Sequence, residues 1–165
     1  MEEFLYTELN DLVIVALCLV SSAFFSASET AITSLGFLKT KHMIDRLGKS
    51  VSHLKLWMDH PGRVLTTVLI FNNVVNILAS SLITQISTRY FENGAVGIAT
   101  GITTFLVLFF GEIIPKSFAK ANAEKLAIFA MRFIIVIYFI SYPIVFLLAS
   151  FADTVVSFFS KGTKT

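Results

Sequence analysis

Long apolar runs with almost no charge alternate with short charged segments along this chain, and the polar residues inside the runs recur at helical spacing. Three runs are long enough to cross a bilayer, which takes about 20 mostly apolar residues in helical form. They predict spans over about 12–38, 63–89 and 94–115, the second bracketed by Arg63 and Arg89. The segment 39–62 between the first two predicts a loop and, with Arg63, holds Lys39, Lys41, Arg46, Lys49 and Lys55. By the positive-inside rule it is cytoplasmic, which puts the acidic N-terminus outside. The third span returns inward, and Lys116, Lys120, Lys125 and Arg132 beyond it agree with that direction.

Residues 126–160 admit two readings. The stretch from Phe133 to Ala152 is uncharged and long enough for a fourth crossing, yet Pro143 falls near its middle. A fourth crossing places Lys161 and Lys164 outside, whereas an interfacial or re-entrant pair of helices hinged at Pro143 keeps them inside.

Composition confirms the solvent. With 55% apolar residues, 17 Phe in 165 positions and only 15% charged residues, the chain departs from ordinary globular usage and reads as an all-α integral membrane domain. The single cysteine, Cys18, excludes an intrachain disulfide. A net charge of +2 is too weak to suggest a nucleic-acid partner. Glu2, Glu3, Glu8 and Asp11 precede the first run in place of a positive n-region, so that run predicts a retained anchor and not a removable signal peptide.

The candidate chemistry lies in polar residues at membrane depth, which are costly there and tend to face a cavity, a partner or an ion path. In the first span "SSAFFSASET" sets Ser22 and Ser26 four residues apart on one helix face, with Glu29 three further on. In the second, "FNNVVN" repeats that spacing with Asn72 and Asn76, and Asn73 lies beside them. In the third, Glu112 follows Gly111 and precedes Pro115, whose missing N–H leaves a carbonyl near residue 111 without its helical donor. Plainer roles exist for each. Serines back-bond to their own helix, asparagines tie helices together, Gly97 and Gly101 form a common packing spacing, and Glu112 could pair with Lys116. Convergence at one depth favours a site: two hydroxyls, two amide oxygens, a carboxylate and a freed carbonyl make about six oxygen ligands, suited to magnesium or sodium. Magnesium ordinarily takes more carboxylate than this, so binding would be weak and exchangeable. His42, His53 and His60 all fall in the 39–62 segment, which argues against an intramembrane hydrolase and against an enzyme altogether.

The motif "GEIIPK" at 111–116, with "SAFFSASETA" at 22–31 and "NNVVNILAS" at 72–80, resembles the membrane domain of the CNNM/CorC (cyclin M) magnesium transporters over essentially the whole chain. Phe71 departs from it, standing where family members often have glycine. The resemblance implies a homodimer of three crossing helices with a cytoplasmic-side juxtamembrane belt over about 123–160, and so favours the belt over a fourth crossing. It further implies a cation site open to the cytoplasm, with Ser22, Ser26, Asn72, Asn76, Glu112 and the Gly111 backbone at the motif positions. Asn73, Pro115, Lys116 and Glu29 are candidates for supporting or hinge roles. The expected function is sodium-coupled magnesium export across the plasma membrane, N-terminus outside and C-terminus cytoplasmic; a non-transporting scaffold or magnesium sensor is the alternative. The nucleotide-binding CBS region that follows in such proteins does not fit after Phe159, so the chain is expected to be the membrane domain alone.

Overall fold

The computed structural model describes residues 2–90 and 96–160, and all elements assigned within them are helical. Helix α1 (Glu2–Leu47) changes direction at Gly36, whose φ of 66° and ψ of 165° lie outside the helical region. That φ is readily open only to glycine, so the apolar part of α1 ends in an elbow just before Lys39. A 3-10 turn (Gly48–Val51) and α2 (Leu54–Asp59) lead to α3 (Pro61–Tyr90). Helix α4 (Val96–Leu106) passes through a π-helical turn (Val107–Ile113) into α5 (Ile114–Ala121), and α6 (Ala123–Ser160) follows. Among the described residues, four helical stretches are long and apolar enough to cross a membrane: Leu9–Val51, Pro61–Arg89, Thr100–Ala121 and Ala123–Leu148.

Two expectations change. The 39–62 segment is mostly helix, because its apolar residues are spaced to bury one side: Met43, Val51, Leu54 and Trp57 join the core while its lysines stay out. The hinge at Pro143 is not a break, since α6 continues through it. Proline's fixed φ is already helical and what it removes is one donor, a defect that surrounding helices can hold in place. Val145, two residues on, is buried at 1% exposure. The start of the expected third span at 94, and Lys161 and Lys164, lie outside the described residues.

Helices α1 and α3 run antiparallel. Arg89 Nη1 lies 2.8 Å from Asp11 Oδ2 at one end, and Ser22 meets Asn72 further along. Helix α6 packs on both, with Lys39 Nζ 2.8 Å from Glu124 Oε1, the rings of Phe129 and Phe133 against Phe24, and the Arg63 guanidinium 5.5 Å from the centre of the Phe146 ring. Lipid tails are as apolar as leucine, so helices in a membrane gain by close van der Waals approach. Small side chains permit that approach: Ala31, Ala119, Ala127 and Ala130 are wholly buried in the core.

His53 is where the 39–62 segment meets α6. Its Nε2 is buried without a partner. Burial holds the imidazole below its ordinary pKa of 6.5; a backbone hydrogen bond with Ile128 opposes this, and the charge of Arg132 adds to it. The unfolded chain therefore takes up its proton first. Stability is intact above the unfolded pKa and declines as pH falls from about 6.5 through the folded value. The melting temperature of His53→Gln is expected to fall less than that of the parent on going from about pH 7.5 to 5.5. An equal fall in both proteins would show that His53 carries none of the acid sensitivity.

Candidate cation site

Three segments bring Ser22 against Asn72 and Gly111, and Asn76 against Glu112. Ser22 and Ser26, one turn apart on α1, are both fully buried. Ser22 Oγ lies 3.5 Å from Asn72 Oδ1 on α3 and 3.4 Å from the carbonyl oxygen of Gly111. One hydroxyl proton cannot serve both acceptors, and both distances are long for an O–H···O bond. The Gly111 carbonyl is available because Pro115, four residues on, has no N–H to donate to it. The helix widens there, and the Ile114 N–H reaches back five residues to the Phe109 carbonyl. A π-bulge of this kind is frequent at functional sites. Glycine is needed at 111 for a separate reason: a Cβ there would stand 2.9 Å from Ser22 Oγ.

Asn76, one turn beyond Asn72, donates from Nδ2 to Glu112 Oε1 at 3.2 Å. Its Oδ1 and the Oγ of Ser26 are both buried and without a hydrogen-bond partner. Leaving such an atom unmatched costs about 1–3 kcal/mol, so Asn76 Oδ1, whose own amide nitrogen holds the Glu112 carboxylate, marks a place that a ligand would stabilise. Lys116 Nζ is 3.8 Å from Glu112 Oε2, with both side chains partly exposed, a loose ion pair worth little by itself.

This donor set is made of oxygen alone. Among the described residues no three His, Cys, Asp or Glu side chains gather to hold a metal. Neutral oxygens with one carboxylate suit a hard cation and not one that selects thiolate or imidazole. The 3.4–3.5 Å spacing of these oxygens exceeds the ~3.0 Å separating neighbours in an octahedral shell of 2.1 Å bonds. Full contact with a bare magnesium ion therefore requires the three segments to draw in, unless the ion keeps some of its water.

The supporting candidates divide. Pro115 is buried at the start of α5 and Lys116 reaches Glu112, whereas Glu29 stands two turns from Ser22 and makes no ion pair among the described residues. Asn73 is exposed, and its Nδ2 turns back to the Leu69 carbonyl at 2.9 Å. Phe71, the departure from the family pattern, stacks on Phe25 with ring centres 5.8 Å apart and so fills space beside the site. Unforeseen was a groove of about 770 Å³ along α3, to which Asn73 and Asn76 contribute together with Ser80, Ser81, Thr84 and Gln85. Its signal is in the sequence, since these residues continue the Asn73 and Asn76 stripe by turns of three and four.

The sequence model of the cyclin M transmembrane N-terminal domain matches residues 12–165. The chain belongs to this family. Curated cyclin M-like relatives include a UPF0053 protein of Haemophilus influenzae, 37% identical over 142 residues, covering 86% of this chain and 34% of the relative. The UPF0053 inner membrane protein YfjD of Escherichia coli is 42% identical over 106 residues, 64% of this chain and 25% of its own length. A Haemophilus influenzae protein named polyamine export protein is 31% identical over 162 residues, 90% of this chain and 36% of its own length. The chain thus spans about a third or less of these relatives.

Proposed function

We propose that this chain is the ion-translocating membrane domain of a magnesium exporter, homodimeric and coupled to sodium entry. The observation that carries the reading is the buried, unpartnered Asn76 Oδ1 beside Glu112, with a second unpartnered oxygen, Ser26 Oγ, one turn from Ser22 on α1. No described hydrogen-bond donor takes up the lone pairs of these oxygens, and a cation would. Sodium fits the wider oxygen spacing without contraction, which supports competition between the two ions at one site as the basis of coupling. The Gly111 carbonyl and the Pro115 defect lie where a helix can change its local hydrogen bonding at small cost, which makes the π-helical turn the hinge of alternating access.

Three crossings and a cytoplasmic-side belt remain the arrangement we favour. Glu124 pairs with Lys39, and Phe146 on the same helix meets Arg63; both basic residues flank the segment assigned to the cytoplasm. Those contacts are 22 residues apart, about 33 Å of helix, enough to carry Phe146 across the ~30 Å hydrocarbon core if α6 stood upright. Starting and ending at basic flanks of one side supports a helix laid along the membrane face. This keeps the C-terminus cytoplasmic and the N-terminus outside. The exposed Gly97 and Gly101, with open space beside each, offer a close-approach face to a second copy.

A second reading, export of an organic polycation, is favoured by the relative named polyamine export protein and by the length of the groove on α3. A third is a non-transporting scaffold or sensor whose ion is structural. Flux from liposomes containing the chain separates them. Magnesium efflux that quickens with an opposing sodium gradient, and is lost in Glu112→Gln, is the expected result. Spermidine flux without magnesium flux would replace the first reading by the second. Stabilisation by magnesium with no flux of either would leave the sensor.

A further inference from the structure

We propose that the exposed polar face of α3 lines the outer half of the cation's path, joining the site at Asn76 to the outer membrane surface. This rests on the cation-site reading above. The groove is lined by Asn73, Asn76, Ser80, Ser81, Thr84 and Gln85, with Ile77 its one apolar member. All belong to a stretch of α3 apolar enough to count as a membrane span. Side chains of this kind lose hydrogen bonds to water when they face lipid tails, so a continuous row of them marks a wet or partnered surface.

Length and direction both fit a path. From Asn76 to Gln85 the helix rises about 14 Å, close to half of the ~30 Å hydrocarbon core. One turn beyond Gln85 comes Arg89, paired with Asp11, at the end of α3 opposite the basic 39–62 segment. The stripe therefore begins where the buried oxygens are and runs away from the cytoplasm. Asn76 belongs to both: its Oδ1 is an unpartnered buried acceptor, its Nδ2 holds Glu112, and its side chain helps line the groove. Hydroxyl and amide oxygens suit a cation that travels with its water, since they accept hydrogen bonds from that shell without binding the ion outright. Among the described residues the groove's lining carries no carboxylate, which leaves Glu112 as the place where the ion stops.

Cysteine accessibility in intact cells tests this, with Cys18→Ser as background and a positively charged, membrane-impermeant methanethiosulfonate added outside. Ser80→Cys and Thr84→Cys are expected to react at least about tenfold faster than Leu17→Cys, because the reagent attacks the thiolate, which forms only in contact with water. Leu17 is the control because it is an exposed apolar residue of α1 at about the depth of Ser80, between the Asp11–Arg89 and Ser22–Asn72 contacts. Silence at 80 and 84, or equal reaction at all three positions, would overturn the path. So would near-complete disulfide formation between copies at Ser80→Cys, which would make this face a protein interface. The magnesium dependence of thermal stability is measured in parallel. Retained stabilisation with a silent groove sinks the path alone, whereas stabilisation unaffected by Glu112→Gln sinks the site on which it rests.

Discussion

Glu112→Gln is expected to lose the stabilisation that magnesium gives the folded chain, with affinity lowered at least about a hundredfold, the ~3 kcal/mol at the upper end for a charge-assisted contact. Glutamine keeps the shape and an oxygen for the Asn76 amide, now 3.2 Å from Glu112 Oε1, so the side-chain bridge between α3 and the π-helical turn survives. What is lost is the only carboxylate among the oxygens gathered here, and with it the negative charge that offsets the dehydration of a divalent ion. A ligand that binds only the folded state raises the melting temperature with its concentration, so titrating magnesium against thermal stability reads the affinity directly. If Glu112 serves only its 3.8 Å pair with Lys116, the variant instead melts lower by the same amount with and without magnesium. That outcome would remove Glu112 from the site.

Gly111→Ala is expected to be nearly as damaging, through shape and not charge. The new methyl group would stand 2.9 Å from Ser22 Oγ and 3.5 Å from Ser22 Cβ. Ser22 is fully buried, so its hydroxyl can turn away only by abandoning both the Gly111 carbonyl and Asn72. Overpacking of this kind costs about 1–3 kcal/mol, and the displaced oxygens no longer converge. The double variant Ser22→Ala with Gly111→Ala removes the clashing oxygen. It should recover most of the melting temperature lost by Gly111→Ala while leaving magnesium stabilisation absent, a non-additivity expected of groups in direct contact. Equal and additive losses from the two substitutions would show that Ser22 and Gly111 do not meet as described.

The residues of the candidate site were legible because the membrane simplifies the code. Where water is excluded, each polar side chain in a span is conspicuous. The four-residue spacing of Ser22 with Ser26, and of Asn72 with Asn76, gives each pair one helix face. Gly111 and Pro115 likewise announce a helix irregularity, because proline cannot donate the bond that position 111 would otherwise receive. The polar groove was readable by the same rule. Ser80, Ser81, Thr84 and Gln85 are individually ordinary in a membrane helix, and only their shared exposure on one face of α3 makes them a surface.

Sequence by itself thus determined the membrane class, the apolar runs, the oxygen-bearing residues of the candidate site and the family, since each depends on residue identity and short-range periodicity. The register between helices was decided by the tertiary structure. It is tertiary packing that brings Ser22 against Gly111, 89 residues away, gives Asn76 to Glu112 and leaves two oxygens unpartnered. It also decided the course of the 39–62 segment and of α6, because amphipathic and proline-bearing stretches take the form their neighbours pack best, and hydropathy along one chain carries no record of those neighbours.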